Sequence, residues 1–182
     1  MLQRAAWPRR QQWFMDYTKG VIERDVRDIA QIEHIRQVPR LLRVLAQPSA
    51  QLANYSGIGA PLGLGHVTTH KYIGVFEQLF LITSPQPWYT NELKRLVKTP
   101  KLHFLDSGLL SAMRGLSPAR LATDRMPFGA LLETFVLAEL LKLASWHEER
   151  IEFFHFRDRY NYEVDIVIED PHGHIVGVEV KA

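Results

Sequence analysis

Residues 162–182 read YEVDIVIEDPHGHIVGVEVKA, two alternating runs separated by a Pro-His-Gly turn, and their reading decides the fold. Successive side chains of a strand project to opposite faces. Tyr162, Val164, Ile166 and Ile168 therefore share one face, and Glu163, Asp165, Val167 and Glu169 share the other. In the second run His174, Val176, Val178 and Val180 share a face opposite Ile175, Gly177, Glu179 and Lys181. A three-residue loop from Pro171 to Gly173, with Gly173 left-handed, closes a hairpin in which Asp170 pairs with His174. Asp165 then falls opposite Glu179, and Glu163 opposite Lys181, with Cβ atoms roughly 5 Å apart. Two carboxylates that close repel unless a cation or a proton lies between them. Mg²⁺ (or Mn²⁺) answers that need, because it takes oxygen ligands and keeps several waters. Lys181 beside such an ion orients or deprotonates a water that attacks phosphorus, while the ion stabilises charge on the phosphate.

Working outward, residues 151–157 predict a preceding strand, with turn chemistry from Asp158 to Asn161. Arg157 reads as one partner of a surface ion pair. Residues 129–146 predict an amphipathic helix whose apolar stripe is Leu131, Leu132, Phe135, Val136, Leu140, Leu143 and Ala144, with Glu133 and Glu139 falling inside it. Gly115, Pro118 and Pro127 make residues 115–128 a boundary. Ahead of it, Asp106 caps a short helix over 107–114. Helices are predicted over 9–28 and 32–46, the second with Ile35, Val38, Leu41, Leu42 and Leu45 inward and Pro39 near its effective first turn.

Residues 51–83 pattern as a helix-turn-helix. Ser56 is the candidate N-cap of a short helix, Gly63 and Gly65 make the turn, and residues 67–81 form the longer second helix. Its first turns carry His66, Thr68, Thr69, His70 and Lys71, the short polar and basic side chains that a recognition helix offers a major groove. Extended pieces at 81–83 and 101–105 flank a loop that carries Lys94, Arg95, Lys98 and Lys101 beside Trp88 and Tyr89, a composition suited to phosphate contact. The charge split agrees: residues 1–127 hold 17 Lys/Arg against 9 Asp/Glu, a balance of +8, and residues 128–182 hold 5 against 11, a balance of −6. A basic half suits a polyanion such as DNA, and an acidic half can gather a divalent ion.

Cysteine is absent, which removes disulfides, thiol nucleophiles and Cys-based zinc sites and fits a cytoplasmic chain. No apolar run approaches the roughly 18 residues that a membrane span needs, and no G-x-x-x-x-G-K-[ST] offers an ATP site. The histidines show no metal-ligand spacing, and His172 and His174 read as turn residues.

Asp165 followed by Glu179-Val180-Lys181, on paired strands behind a helix bearing Glu133, resembles the PD-(D/E)XK nuclease superfamily. The resemblance implies that Asp165, Glu179 and Glu133 bind the metal and that Lys181 serves the attacking water, Asp165, Glu179 and Lys181 being the catalytic set. Trp13-Phe14 to Tyr17, Glu23 to Val26, Lys71 to Ile73, Lys98 to Leu109, Gly129 to Glu139 and Phe156 to Asp165, in that order, are similar to the uncharacterised carboxy-terminal domain that follows a P-loop module in many prokaryotic AAA-type ATPases. That family implies an α+β chain: a helical and winged-helix region over 1–115, then a PD-(D/E)XK nuclease-like module over 128–182 that lacks the helix and strand expected to follow. It also implies an upstream ATPase domain as partner, DNA as target through Thr68, Thr69, Lys71, Lys94, Arg95 and Lys98, and room for a homo-oligomer. Two functions stay open. One is Mg²⁺-dependent cleavage of DNA phosphodiesters; the other is a non-catalytic DNA- or protein-binding module that regulates the ATPase.

Overall fold

The computed structural model describes residues 6–29, 37–91, 95 and 98–182 and is mixed α+β. Lys94 and the first part of the expected second helix, with Ile35, lie outside the described residues. The chain opens with α1 (Trp7–Ile29) and α2 (Val38–Leu45), whose Pro39 sits in the first turn, where its missing N–H costs nothing. After β1 (Gln51–Leu52) come α3 (Tyr55–Gly59), a 3₁₀ turn (Ala60–Leu62) and α4 (His66–Gln78). Asn54 rather than Ser56 caps α3, its side chain accepting from the Gly57 amide, because the helix begins one residue before Ser56. Gly63 makes the turn at φ +67, a conformation that glycine adopts without penalty. A Cβ on Gly59 would lie 2.1 Å from Thr69 Oγ1 and 2.5 Å from the Leu64 carbonyl, so its bare backbone is what lets α3 and α4 close on each other. The second helix stops short of the expected 81, because Phe80 turns left-handed at φ 54.

β2 (Ile82–Thr83) and β4 (Lys101–Phe104) flank the loop that contains β3 (Gln86–Pro87), and β4 lies between β1 and β2 in an antiparallel sheet. Asp106 caps α5 (Ser107–Arg114) through the Leu109 amide, as its position before Ser-Gly-Leu predicts. The expected boundary holds a short helix of its own, α6 (Pro118–Thr123), with Ser117 as its cap. One apolar core runs from Ile22 through Leu41, Leu42, Ile73, Phe76, Leu102, Phe104 and Leu110 to Leu131. That last residue belongs to α7 (Phe128–Ala144).

β5 (Glu152–Arg157), β6 (Glu163–Glu169) and β7 (Ile175–Val178) form an antiparallel meander. Its hairpin has the register that the alternation predicts: Asp170 N donates to His174 O, Gly173 has φ +80, and Ile166 faces Val178. β3 adds to the far edge, parallel to β5, and Trp88 N donates to His155 O at 2.6 Å. A loop of the basic half is thus a strand of the acidic half's sheet.

The face that α7 buries differs from the expected stripe. Leu131, Glu133, Thr134, Leu137 and Ala138 are inward, while Phe135 is 46% and Leu143 is 69% exposed. A helix apolar nearly all round gives periodicity little to choose between. The polar partners waiting for Glu133 and Thr134 make the choice.

Candidate functional site

β4 is buried along its whole length, so both of its faces meet protein. Alternation sends Leu102 and Phe104 into the apolar core and turns Lys101 and His103 the other way, toward α7 and β6. α7 answers with Glu133 and Thr134, and β6 with Glu163 and Asp165, two residues apart on one strand face.

The Lys101 ammonium lies 2.6 Å from Glu133 Oε1, 3.0 Å from Glu163 Oε1 and 3.5 Å from Asp165 Oδ1. The bond to Glu163 has hydrogen-bond geometry, whereas the approach to Glu133 is an ion pair at an angle outside it. His103 Nε2 is 3.5 Å from the same Glu133 oxygen, its Nδ1 is 3.2 Å from Thr134 Oγ1, and Ser49 Oγ lies 3.3 Å beyond on Thr134. Asp165 Oδ2 accepts the Val180 amide at 2.9 Å.

Burial alone would lower the Lys101 pKa, but the attraction of the Glu133 and Glu163 carboxylates outweighs it, and the net direction is upward. Lys101 is therefore a fixed cation. Burial pushes Glu133 up to about 7, with Asp165 and Glu163 adding to the push and Lys101 opposing it. Burial, reinforced by the charge of Lys101, holds His103 down at about 3, so its imidazole is neutral. Three carboxylates share one ammonium, and the site relieves the excess by keeping a proton on Glu133 near neutral pH.

The expected metal set is only partly assembled. Asp165 and Glu133 do reach a common point, but a lysine of β4 stands there. The β6–β7 ladder stops at Ile166–Val178, because Asp165 turns its carboxylate to the Val180 backbone. Glu179 and Lys181 lie beyond that end, paired with each other at 2.6 Å and exposed, with Lys181 at 83%. Among the described residues no group of three carboxylate or imidazole side chains is set to hold a metal ion. The residues as arranged do not fit Mg²⁺ or Mn²⁺, because the Lys101 ammonium occupies the point where Glu133 and Asp165 meet.

Lys101, expected on a phosphate-contacting loop, is instead the centre of the cluster. Its signal in the sequence is Lys-Leu-His-Phe, a strand whose polar alternate positions must face some partner. Arg95 is also engaged inside the protein, which corrects its expected place on a phosphate. Its guanidinium makes two bonds to Glu169, at 2.6 and 3.1 Å, donates to Tyr89 O, and lies over the Phe154 ring. Thr69 is fully buried, its hydroxyl bonded to Gly65 O, and so has no face toward a groove. Thr68 is half-buried, and Lys71 and Lys98 are exposed. Arg157 does form the expected ion pair, 3.9 Å from Glu163.

Fold and site together define a class: an α+β module in which a basic helical half is locked to an acidic sheet by a buried lysine. The chain belongs to the family described as Domain of unknown function (DUF8612), whose model matches residues 1–120. Residues 128–182 match a second model, Domain of unknown function (DUF4143). Among curated relatives, Uncharacterized protein Rv2008c of Mycobacterium tuberculosis and Uncharacterized protein Mb2031c of Mycobacterium bovis are each 27% identical over 170 residues. The match covers 93% of this chain, which spans only 37% of the length of those relatives. No solved structure matches.

Proposed function

We propose that this chain is the DNA-binding part of a larger AAA-type ATPase. The observation that carries the reading is the order α2, β1, α3, α4, β2, loop, β4, with β4 between the other two strands. On this reading the order is that of a winged helix, and α4 is the helix that would enter a major groove. His66, His70 and Lys71 are exposed on α4, with Thr68 half-buried beside them, and a cation there would bind phosphate or a base edge. The link to an ATPase rests on residues 128–182, which match a domain typically found with AAA ATPases. On this reading the nuclease-like half is a scaffold, because a lysine fills the point where a metal ion would act. Fluorescence anisotropy with a labelled duplex is the test. Binding that weakens with salt, and weakens roughly tenfold in Lys71→Ala, is expected; a chain that ignores duplex DNA at low salt would sink the reading.

A second reading, metal-dependent cleavage of DNA, is favoured by one observation: Glu133 and Asp165 converge on one point, which a divalent ion would take only if Lys101 left it. Its test is nicking of supercoiled plasmid in Mn²⁺, lost in Asp165→Asn. An intact plasmid with the wild-type chain ends it.

A further inference from the structure

Two pockets that share Lys98 and Thr99 run across the junction of the halves. The first, about 390 Å³, lies under the start of α4, and the second, about 340 Å³, lies at the end of β5. We propose that they form one groove for a single nucleic-acid strand, leading from α4 toward the carboxylate cluster. This rests on the DNA-binding reading and adds to it a path and a strandedness.

The chemistry of the walls makes the case. The first pocket has a ring platform: His66 and His70 lie parallel with centroids 6.5 Å apart, and both meet the Tyr55 ring edge-on, at 5.3 and 4.8 Å. The second has Tyr89 and three cations, Lys98, Arg157 and Arg159, with Asp158 as the only carboxylate among its described lining residues. One oxygen of Asp158 accepts from the backbone of Tyr160 and Tyr162. Among the described residues neither Lys98 nor Arg159 has a carboxylate partner. His155 lines the same pocket at 3% exposure; its Nε2 donates to Thr99 O at 3.3 Å, and its Nδ1 has no partner among the described residues. Rings for stacking interleaved with cations for phosphate are what binds single strands without a fixed sequence. Arg157 closes the path, since it contacts Glu163, which itself contacts Lys101.

The test is anisotropy of a fluorescein-labelled single strand and of its duplex, with the whole chain, at several salt concentrations. Lys98→Ala/Arg157→Ala/Arg159→Ala is expected to weaken single-strand binding about tenfold or more. It should also lower the slope of log K against log salt by about 2, near 0.7 for each phosphate released. The single variant Lys98→Glu, on an exposed side chain, should weaken it severalfold with an unchanged melting temperature, which separates binding from folding. Single-strand binding unchanged in both variants, while Lys71→Ala still weakens duplex binding, overturns the groove and leaves the DNA reading standing. Absence of any nucleic-acid binding by the wild type overturns both. Displacement of the strand by polyglutamate as readily as by unlabelled DNA also overturns the groove, as it would make it a site for acidic peptides.

Discussion

Lys101 and Glu133 meet at 2.6 Å although one lies on the central strand of the first sheet and the other on the long helix of the acidic half. Only 4% of the lysine side chain is exposed, and the two further carboxylates on it come from β6. A buried ammonium stripped of water is tolerated because three acids surround it, and the buried Glu133 carboxyl is tolerated because the ammonium is there. The contact is therefore a mutual requirement and a lock between the halves.

Lys101→Met should expose that dependence. It removes the buried cation that the three carboxylates share, and breaking such a pair from one side costs about 3 kcal/mol. Urea unfolding of the variant should show the loss, and the double variant Lys101→Met/Glu133→Gln should recover part of it. A single variant as stable as the wild type would show that the ion pair is dispensable.

The pH dependence has two opposed parts. Burial lowers His103 from 6.5 to about 3 and His155 from 6.5 to about 4. Below 6.5 the unfolded chain takes protons that the native chain refuses, so their contribution, complete above 6.5, is lost as pH falls toward 4 and below. Glu133 runs the other way: raised from 4.5 to about 7, it keeps a proton that the unfolded chain has lost, and its contribution fades as pH rises across that window. Glu133→Gln should therefore gain on the wild type between about pH 5 and pH 7.5 when urea midpoints are compared. A constant difference between the two would mean that Glu133 titrates normally.

Arg95→Ala should loosen the attachment of β3 to β5. It deletes two bonds to Glu169 within a pair whose side chains are 13% and 16% exposed, and it uncovers the Phe154 ring. A cost of about 3 kcal/mol follows for a largely buried pair broken from one side. Faster amide exchange at Trp88, whose N–H bonds His155 O, is the local readout. Unchanged exchange there would place the arginine outside the joint.

Gly59→Ala should destabilise the α3–α4 pair by about 2 kcal/mol, in the range for overpacking. The new Cβ would press on Thr69 Oγ1 and on the Leu64 backbone carbonyl, and only the first can be relieved by a side-chain change. Gly59→Ala/Thr69→Ala, which removes the hydroxyl but leaves the carbonyl contact, should therefore stay well below the wild type in melting temperature. Full recovery would show that the backbone there can move.

Much of the local structure was legible because it rests on local chemistry. Asp106 before Ser-Gly-Leu predicts a capped helix, Pro39 marks the first turn of α2, and Gly173 behind Pro171 sets a hairpin register that carries through to Ile166 and Val178. That Glu133 would join Asp165 was implied by the family resemblance alone, since periodicity placed Glu133 only within an apolar stripe. The cation between them was not legible. The sequence by itself determined that acids would crowd on one face of β6 and that Lys101 and His103 would share a face of β4, because strand periodicity is a property of the backbone. Which partner that face meets was decided only by the tertiary structure. β4 lies fifty-nine or more residues away from β6 along the chain, and packing rather than spacing chooses among an ion, a phosphate and a lysine as the counter-charge. The same reason explains α7, an apolar helix whose inward face was fixed by what Lys101 and His103 offered to Glu133 and Thr134.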